Sequence, residues 1–247
     1  MLNHRVLVIT GAGVSAESGI PTFRGPGGYW RNLDPSKLAT PEAFARDPEL
    51  VWEWYRERRQ MIRTARPNPA HQTIARLGAA LPEFLLVTQN VDDLHARAQW
   101  EGRSLPPEKM LQIHGEIFVT RCSRCDFEFR EENQDGKGLP VCERCGSLMR
   151  PGVVWFGESL DPVKMSLVEA FLEAGPIDLV MVAGTTALFG YILDWALRAK
   201  GEQGRLVEVN PEQTSLSPYA TQSIREPAGR ALPGIVAEIL GSTKSVR

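Results

Sequence analysis

The sequence has no apolar run near the ~20 residues that a membrane-spanning helix needs. It has no block of basic residues of the kind that marks a nucleic-acid footprint, and its net charge is −2. Internal repeats and low-complexity segments are missing as well. Lysine is sparse and arginine carries most of the positive charge, from which no function follows. Cysteine is scarce, with four in 247 residues. The early apolar run at 6–9 (VLVI) is too short for the core of a signal peptide and leads into a glycine-rich turn, so it reads as a strand. These absences leave a soluble globular protein, expected in the cytoplasm. A chain of this length holds one or two domains and can bury about 70 % of its unfolded surface.

What is present alternates. Continuous apolar runs at 5–10 (RVLVIT), 84–88 (FLLVT), 178–183 (DLVMVA) and 205–209 (RLVEV) suit strands covered on both faces. Helical periodicity fills 69–80, 163–174, 191–199 and 232–240. Strand-helix alternation predicts an α/β fold, a Rossmann-like doubly wound parallel sheet. Two stretches stand outside it: 41–66, helical and rich in Trp and Arg, and 119–149, which carries the cysteines and has loop composition. They are expected to form a smaller domain, leaving 1–40, 67–118 and 150–247 as the large one. A ligand is expected in the crevice between them, near strand carboxyl ends.

Five motifs carry chemistry. GAGVSAESGIPTFRG (11–25) follows the first strand, and Gly11, Gly13 and Ala16 satisfy GxGxxG/A, a turn that lets backbone approach a pyrophosphate at a helix N-terminus. An ordinary dehydrogenase has an acidic ribose ligand about 20 residues on; this chain has Gly28-Tyr29-Trp30-Arg31 there, which counts against hydride chemistry. TQNVDDLH (88–95) sets Gln89, Asn90 and Asp92 at a strand end, where Asn and Asp also suit a helix N-cap. His114, in QIHGEIF, is either structural or a neutral imidazole fit for general-base work at pH 7. Cys122, Cys125, Cys142 and Cys145, with 16 residues between the pairs, can close a tetrahedral, structural zinc site. In WEWYRERRQ (52–60), Val51, Tyr55, Arg58 and Ile62 share a helix face. The plain reading is an amphipathic helix with a solvated Arg face; the sharper one pairs Tyr55 and Arg58 to hold a carboxylate.

Taken in order, these segments together with RPGVVWFGE (150–158), Gly184-Thr185-Thr186 and VEVNPE (207–212) resemble the sirtuin family over nearly the whole chain. The resemblance implies a Rossmann-like domain, a zinc-ribbon and helical module, and an NAD-dependent protein-lysine deacylase. It implies NAD phosphates on Gly11, Ala12, Gly13 and Ser15, and Phe23 and Arg24 on the loop that closes over nicotinamide. Asn90 and Asp92 line the nicotinamide pocket and act catalytically, and His114 deprotonates a ribose hydroxyl. Thr22, Trp30, Gln89, Val91, Gly184, Thr185, Thr186, Asn210 and Ala228 are assigned to the cofactor. Acylated-lysine proteins are the implied partners, lying extended along Val154, Phe156, Gly157 and Glu158 by β-augmentation.

Thr22, where many sirtuins have Asp, and the Tyr55/Arg58 pair are similar to the class III branch, which implies succinyl- or malonyl-lysine beside acetyl-lysine. Two stretches depart from the pattern. Pro26 replaces a small Ala, and Ala187-Leu188-Phe189-Gly190-Tyr191 replaces a Val-aromatic-Pro run, while Thr186 keeps a hydroxyl. Two other functions share the cofactor cleft: protein ADP-ribosylation and non-catalytic binding of NAD or ADP-ribose.

Overall fold

The computed structural model describes residues 4–22, 34–131 and 136–241. Strand β1 (Val6–Thr10) runs into the glycine turn and one helical turn, α1 (Gly13–Ala16). Helices α2 (Pro35–Leu38), α3 (Pro41–Arg46), α4 (Pro48–Thr64) and α5 (Pro69–Ala80) lead to β2 (Phe84–Thr88) and the short α6 (Leu94–Arg97). A small hairpin, β3 (Gln99–Trp100) and β4 (Arg103–Ser104), precedes β5 (Met110–Gln112). Strands β6 (Gly115–Cys122), β7 (Glu128–Arg130) and β8 (Met149–Val153) follow. Helix α7 (Pro162–Glu173), β9 (Leu179–Ala183), α8 (Gly190–Lys200), β10 (Arg205–Val209), β11 (Gln222–Ile224) and α9 (Ala228–Gly241) complete the chain.

The main sheet has six parallel strands in the order β11-β10-β9-β1-β2-β5. Strand order reverses at β1, which pairs with β2 on one side and β9 on the other. The crevice beyond the carboxyl ends at such a switch point is where open α/β sheets bind ligands. Alternation within β1 feeds both layers. Val6 and Val8 pack with α5 and α9, whereas Leu7 and Ile9 pack with Val168 of α7 and Trp195 and Ala196 of α8. A strand buried on both faces has no polar side, which is why these strands read as unbroken apolar runs.

Local sequence starts the helices. Thr40, Asp47, Asn68 and Asp161 each cap a helix whose first residue is proline, accepting from the N–H of Ala43, Leu50, Ala70 and Val163 at 2.8–3.0 Å. The cap satisfies an orphan donor, and proline costs nothing where no intrahelical N–H is needed.

Among the described residues the cysteine stretch is largely loop, as its composition suggests, but strands anchor it. β6, β7 and β8 form a three-stranded antiparallel sheet in the order β7-β6-β8. The aromatic face of α3 and α4 packs on it, with Phe44, Trp52, Trp54 and Tyr55 gathered against Ile117, Phe118, Val153 and Trp155. The expected solvated Arg face of α4 is also corrected. Arg59 is 1 % exposed, with its guanidinium over the Trp52 ring and donating to Ile117 O at 2.6 Å, Val119 O at 2.9 Å and Thr120 Oγ1 at 3.1 Å. Stacking on an aromatic plane while forking onto carbonyls is what guanidinium geometry permits.

Candidate active site and metal centre

The glycine turn is shaped by its neighbour strand. A Cβ on Gly11 would lie 2.7 Å from Thr185 Cβ, and one on Gly13 would lie 2.8 Å from Gly184 Cα. Gly184 has φ +61°, and a Cβ there would lie 2.4 Å from Val14 N. The two turns therefore interlock backbone to backbone, and side chains would force them apart. The N–H groups of Gly11, Gly13, Val14 and Ser15 are bonded to Ala183, Gly184, Gly11 and Ala12 carbonyls. The expected row of free N–H groups at this helix start is thus largely committed inside the chain. Ala12 and Thr22 are half-buried. Phe23, Arg24 and Trp30, with Pro26, lie outside the described residues.

Ser15 is a buried hub just below the turn. Its hydroxyl donates to Asp92 Oδ2 at 2.9 Å and accepts from Asn90 Nδ2 at 3.1 Å. His71 Nδ1 accepts from the Asn68 N–H, so His71 Nε2 carries the hydrogen and donates to Ser15 Oγ at 3.3 Å. Asp92 also accepts from the Leu94 N–H at 3.0 Å, and burial raises its pKa. A parallel chain runs from His95 Nε2 to Thr10 Oγ1 at 3.1 Å and on to Thr88 Oγ1 at 2.8 Å. Thr88 Oγ1 receives the Asn90 N–H at 3.1 Å. The sequence reading found Ser15, Asn90 and Asp92 but missed His71, His95, Thr10 and Thr88. Their one local signal is His71 at the third helical position after the Asn68-Pro69 cap.

His114 sits in the turn between β5 and β6. Its Nδ1 is 3.0 Å from Gln89 O and its Nε2 is 2.6 Å from Tyr191 Oη. Burial holds its pKa below the usual histidine range, so the imidazole is neutral at pH 7. Gln89 Nε2 in turn donates to Thr185 Oγ1 at 3.0 Å, and Asn210 Nδ2 donates to Thr185 O at 2.9 Å. Gln89, Asn90, Val91 and Asp92 follow β2; Gly184, Thr185 and the exposed Thr186 follow β9; Asn210 follows β10. The fold thus brings these expected cofactor residues to one row of strand ends. Val91 gives its carbonyl to the Ile117 N–H at 2.8 Å. Ala228 is buried in the core at the start of α9 and packs with Val207 and Val209 rather than lying open at the crevice.

Tyr55 and Arg58 do share a face of α4. The Tyr55 hydroxyl accepts from Trp155 Nε1 at 2.9 Å, and burial pushes its pKa up to about 12. Arg58 lies over the Trp54 ring and is coupled by charge to Tyr55 and Asp92, while burial lowers its pKa. Beyond β8, the N–H groups of Val154, Phe156 and Glu158 bond to His114 O, Ala39 O and Trp155 O. The Glu158 carboxylate accepts from Arg150 at 2.5 and 2.8 Å and from the Trp155 N–H. Phe156 and Gly157 are exposed.

The four thiols converge at the end of the small sheet. All four sulfurs lie within 4.8 Å of one another, with Cys122–Cys145 at 3.5 Å and Cys125–Cys142 at 3.6 Å. None forms a disulfide. A tetrahedron with zinc–sulfur bonds of ~2.3 Å has an edge of about 3.8 Å, so the set fits zinc and leaves no ligand position open.

The profile of the Sir2 family matches residues 11–189. The chain belongs to the Sir2 family. Among its Sir2 relatives is the NAD-dependent protein deacylase of Leptospira interrogans, 42 % identical over 239 residues, covering 96 % of this chain and 94 % of that one. NAD-dependent protein deacylase 1 of Archaeoglobus fulgidus is 43 % identical, with 95 % and 92 % covered. A Sir2 homologue solved as an NAD complex superposes with a TM-score of 0.84 at 42 % identity, covering 96 % of this chain and 90 % of that one. A variant Sir2 homologue bound to 2′-O-acetyl ADP ribose gives 0.88 at 40 % identity, with 98 % and 95 % covered.

Proposed function

We propose that this chain is an NAD-dependent protein-lysine deacylase that passes the acyl group of a modified lysine to ADP-ribose and releases nicotinamide. The observation that carries this reading is the neutral, half-buried His114 tied to the carbonyl of Gln89, the residue that leads into the Ser15–Asn90–Asp92 cluster at the end of β2. NAD supplies a nicotinamide–ribose bond whose cleavage opens the ribose carbon to the acyl oxygen. Asn90 and Asp92, held by Ser15, orient the nicotinamide end. Gln89 O fixes the His114 ring so that Nε2 presents the lone pair of the base that the ribose hydroxyl needs. Simple binding has no use for a base held in one tautomer. The Ala12 N–H is assigned to the phosphates, since the N–H groups of Gly11, Gly13, Val14 and Ser15 are occupied, and the exposed Thr186 is assigned to the ribose. The relatives named above support the assignment, as does the acetylated ADP-ribose seen on a homologue of the same fold.

In this reading α3, α4 and the β6–β8 sheet form the smaller lobe and zinc holds the latter together. Thiols kept as metal ligands suit a reducing, cytoplasmic setting, and among the described residues no helix is long and apolar enough to cross a membrane. A peptide laid along 154–158 is held mainly through carbonyl oxygens, because the N–H groups of Val154, Trp155, Phe156 and Glu158 are already bonded.

The acyl group is read as acidic as well as acetyl. The half-buried guanidinium of Arg58 shares a face of α4 with Tyr55, and a succinyl or malonyl carboxylate taken out of water needs such a cationic partner. The test is mass spectrometry of matched acetyl- and succinyl-lysine peptides with and without NAD. NAD-dependent acyl loss, with acyl-ADP-ribose appearing, is expected; NAD consumed without acyl loss would favour ADP-ribosylation instead. Arg58→Met is expected to cut succinyl-lysine turnover at least tenfold more than acetyl-lysine turnover. Equal losses would make Arg58 a packing residue.

A further inference from the structure

The proton acceptor of the proposed reaction already has a donor. His114 Nδ1 faces the Gln89 carbonyl at 3.0 Å, and a carbonyl only accepts, so Nδ1 carries the ring hydrogen. Nε2 therefore offers its lone pair, and the Tyr191 hydroxyl donates to it at 2.6 Å. An imidazole nitrogen has one lone pair. A ribose hydroxyl arriving to surrender its proton finds that lone pair taken. Either Tyr191 leaves, or the proton passes through it.

Packing decides between the two. Tyr191 is the second residue of α8, so its backbone is fixed by a helix. Its ring stacks on Phe189 with centroids 5.5 Å apart and planes 12° from parallel. Trp195 packs against it at 5.3 Å. Trp195 is itself buried and donates its indole N–H to Glu169 at 2.9 Å. Phe189 also meets the His114 ring edge-on at 5.7 Å. Swinging Tyr191 away would open this aromatic row around the base. The hydroxyl comes from the 187–191 stretch, where this chain departs from the sirtuin pattern.

Resting on the deacylase reading, we propose that Tyr191 is a further catalytic residue whose hydroxyl stands between the ribose hydroxyl and His114 Nε2 and relays the proton. The ribose O–H bond breaks and Tyr191 Oη takes that proton. The original Tyr191 O–H bond breaks in the same event and its proton forms the Nε2–H bond. Tyrosine ends neutral, the imidazole ends as imidazolium, and the ribose oxygen keeps the electron pair with which it attacks. No tyrosinate is required, in keeping with a Tyr191 pKa that burial pushes up to about 12.

Tyr191→Phe keeps the ring stack and removes only the relay. Acyl-ADP-ribose formation from an acetyl-lysine peptide and NAD is expected to fall at least tenfold, within the ~10²–10⁴-fold that acid–base catalysis supplies. Exchange of labelled nicotinamide into NAD with the same peptide, which needs only the step before proton transfer, is expected to persist within about twofold. Unchanged or faster product formation would mean that Tyr191 merely covers the base and is displaced. Equal loss of both activities would leave it a packing residue. On the unaltered protein, single-turnover rates in mixed H₂O and D₂O should bow with deuterium fraction, as two protons in flight require; a straight line would overturn the relay. A wild-type protein that forms no acyl-ADP-ribose would overturn the deacylase reading, and the relay with it.

Discussion

Three of the four histidines are turned away from water, and their hydrogen bonds set each apart. His71 accepts at Nδ1 and donates at Nε2, so both nitrogens are satisfied in the neutral form. Thr10 Oγ1 spends its hydrogen on Thr88, so His95 donates from Nε2 and its Nδ1 is a buried lone pair with no partner among the described residues. Burial drives the pKa of His71 down to about 2 and that of His95 to about 3, from an ordinary 6.5. Between pH 6.5 and about 3 the unfolded chain therefore binds protons that the folded one refuses, so stability is full above 6.5 and falls with pH below it, by at most about 1.4 kcal/mol per pH unit for each histidine. Urea midpoints are expected to fall from pH 7 to pH 5, and His95→Phe, which cannot titrate, should flatten that slope. An unaltered slope would mean that carboxylates alone carry the acid sensitivity. None of this was legible in TQNVDDLH, where His95 has no local mark. The His95 tautomer depends on Thr10, 85 positions away and brought in by β1; that of His71 is set locally, by the Asn68 N–H at the start of α5.

At the scale of elements, what was legible had local causes. The sequence bounds of β2, α5 and β10 agree with the structure to the residue, because an apolar run or an Asn-Pro cap ends each abruptly. The edge strands β5 and β11 are three residues each and partly exposed, with no apolar run to betray them. They exist because a neighbour strand offers them a ladder. Helix α4 was legible as a helix but not as a clamp, since nothing local sets Arg59, which meets the carbonyls of β6, apart from Arg56 and Arg63. Arg59→Met should leave the Ile117 and Val119 carbonyls short of donors, at about 1–3 kcal/mol each. A fall in unfolding free energy of roughly 2–5 kcal/mol is expected by urea titration, and Arg59→Lys should not restore it, because an ammonium lacks the planar fork. A change below ~0.5 kcal/mol would mean that water replaces the guanidinium.

For the whole molecule, two supports act on different parts. The large sheet is held by its two apolar layers, the small one by four sulfurs at its end and an aromatic helix on its face. The cysteine spacing made the metal centre legible; the strands that carry it were not, because β7 is exposed throughout and β6 only alternates. Cys142→Ser is expected to lose zinc in a chromogenic metal assay and to lower the melting temperature, since metal binding free energy there is folding free energy. Native metal content, or an unchanged melt without metal, would refute that role. The active-site row was legible in its residue types but not in its pairing: His114 and Tyr191 stand 77 positions apart, and no local pattern connects them.

The Glu17 carboxylate, just past the glycine turn, accepts the N–H of Gly229 at 2.7 Å, 212 positions later, and β1 gains its β9 partner only with residues 179–183. On the ribosome, the glycine turn is made early and finished late. Until β9 and Gly184 emerge, the nascent chain carries the glycines of the turn without the neighbour that shapes them, and Glu17 waits longer still, for the Gly229 N–H at the start of α9. The first turn of the chain is thereby completed only at the close of synthesis, and a ribosome stalled before residue 229 would hold a chain whose Glu17 carboxylate still lacks its backbone donor.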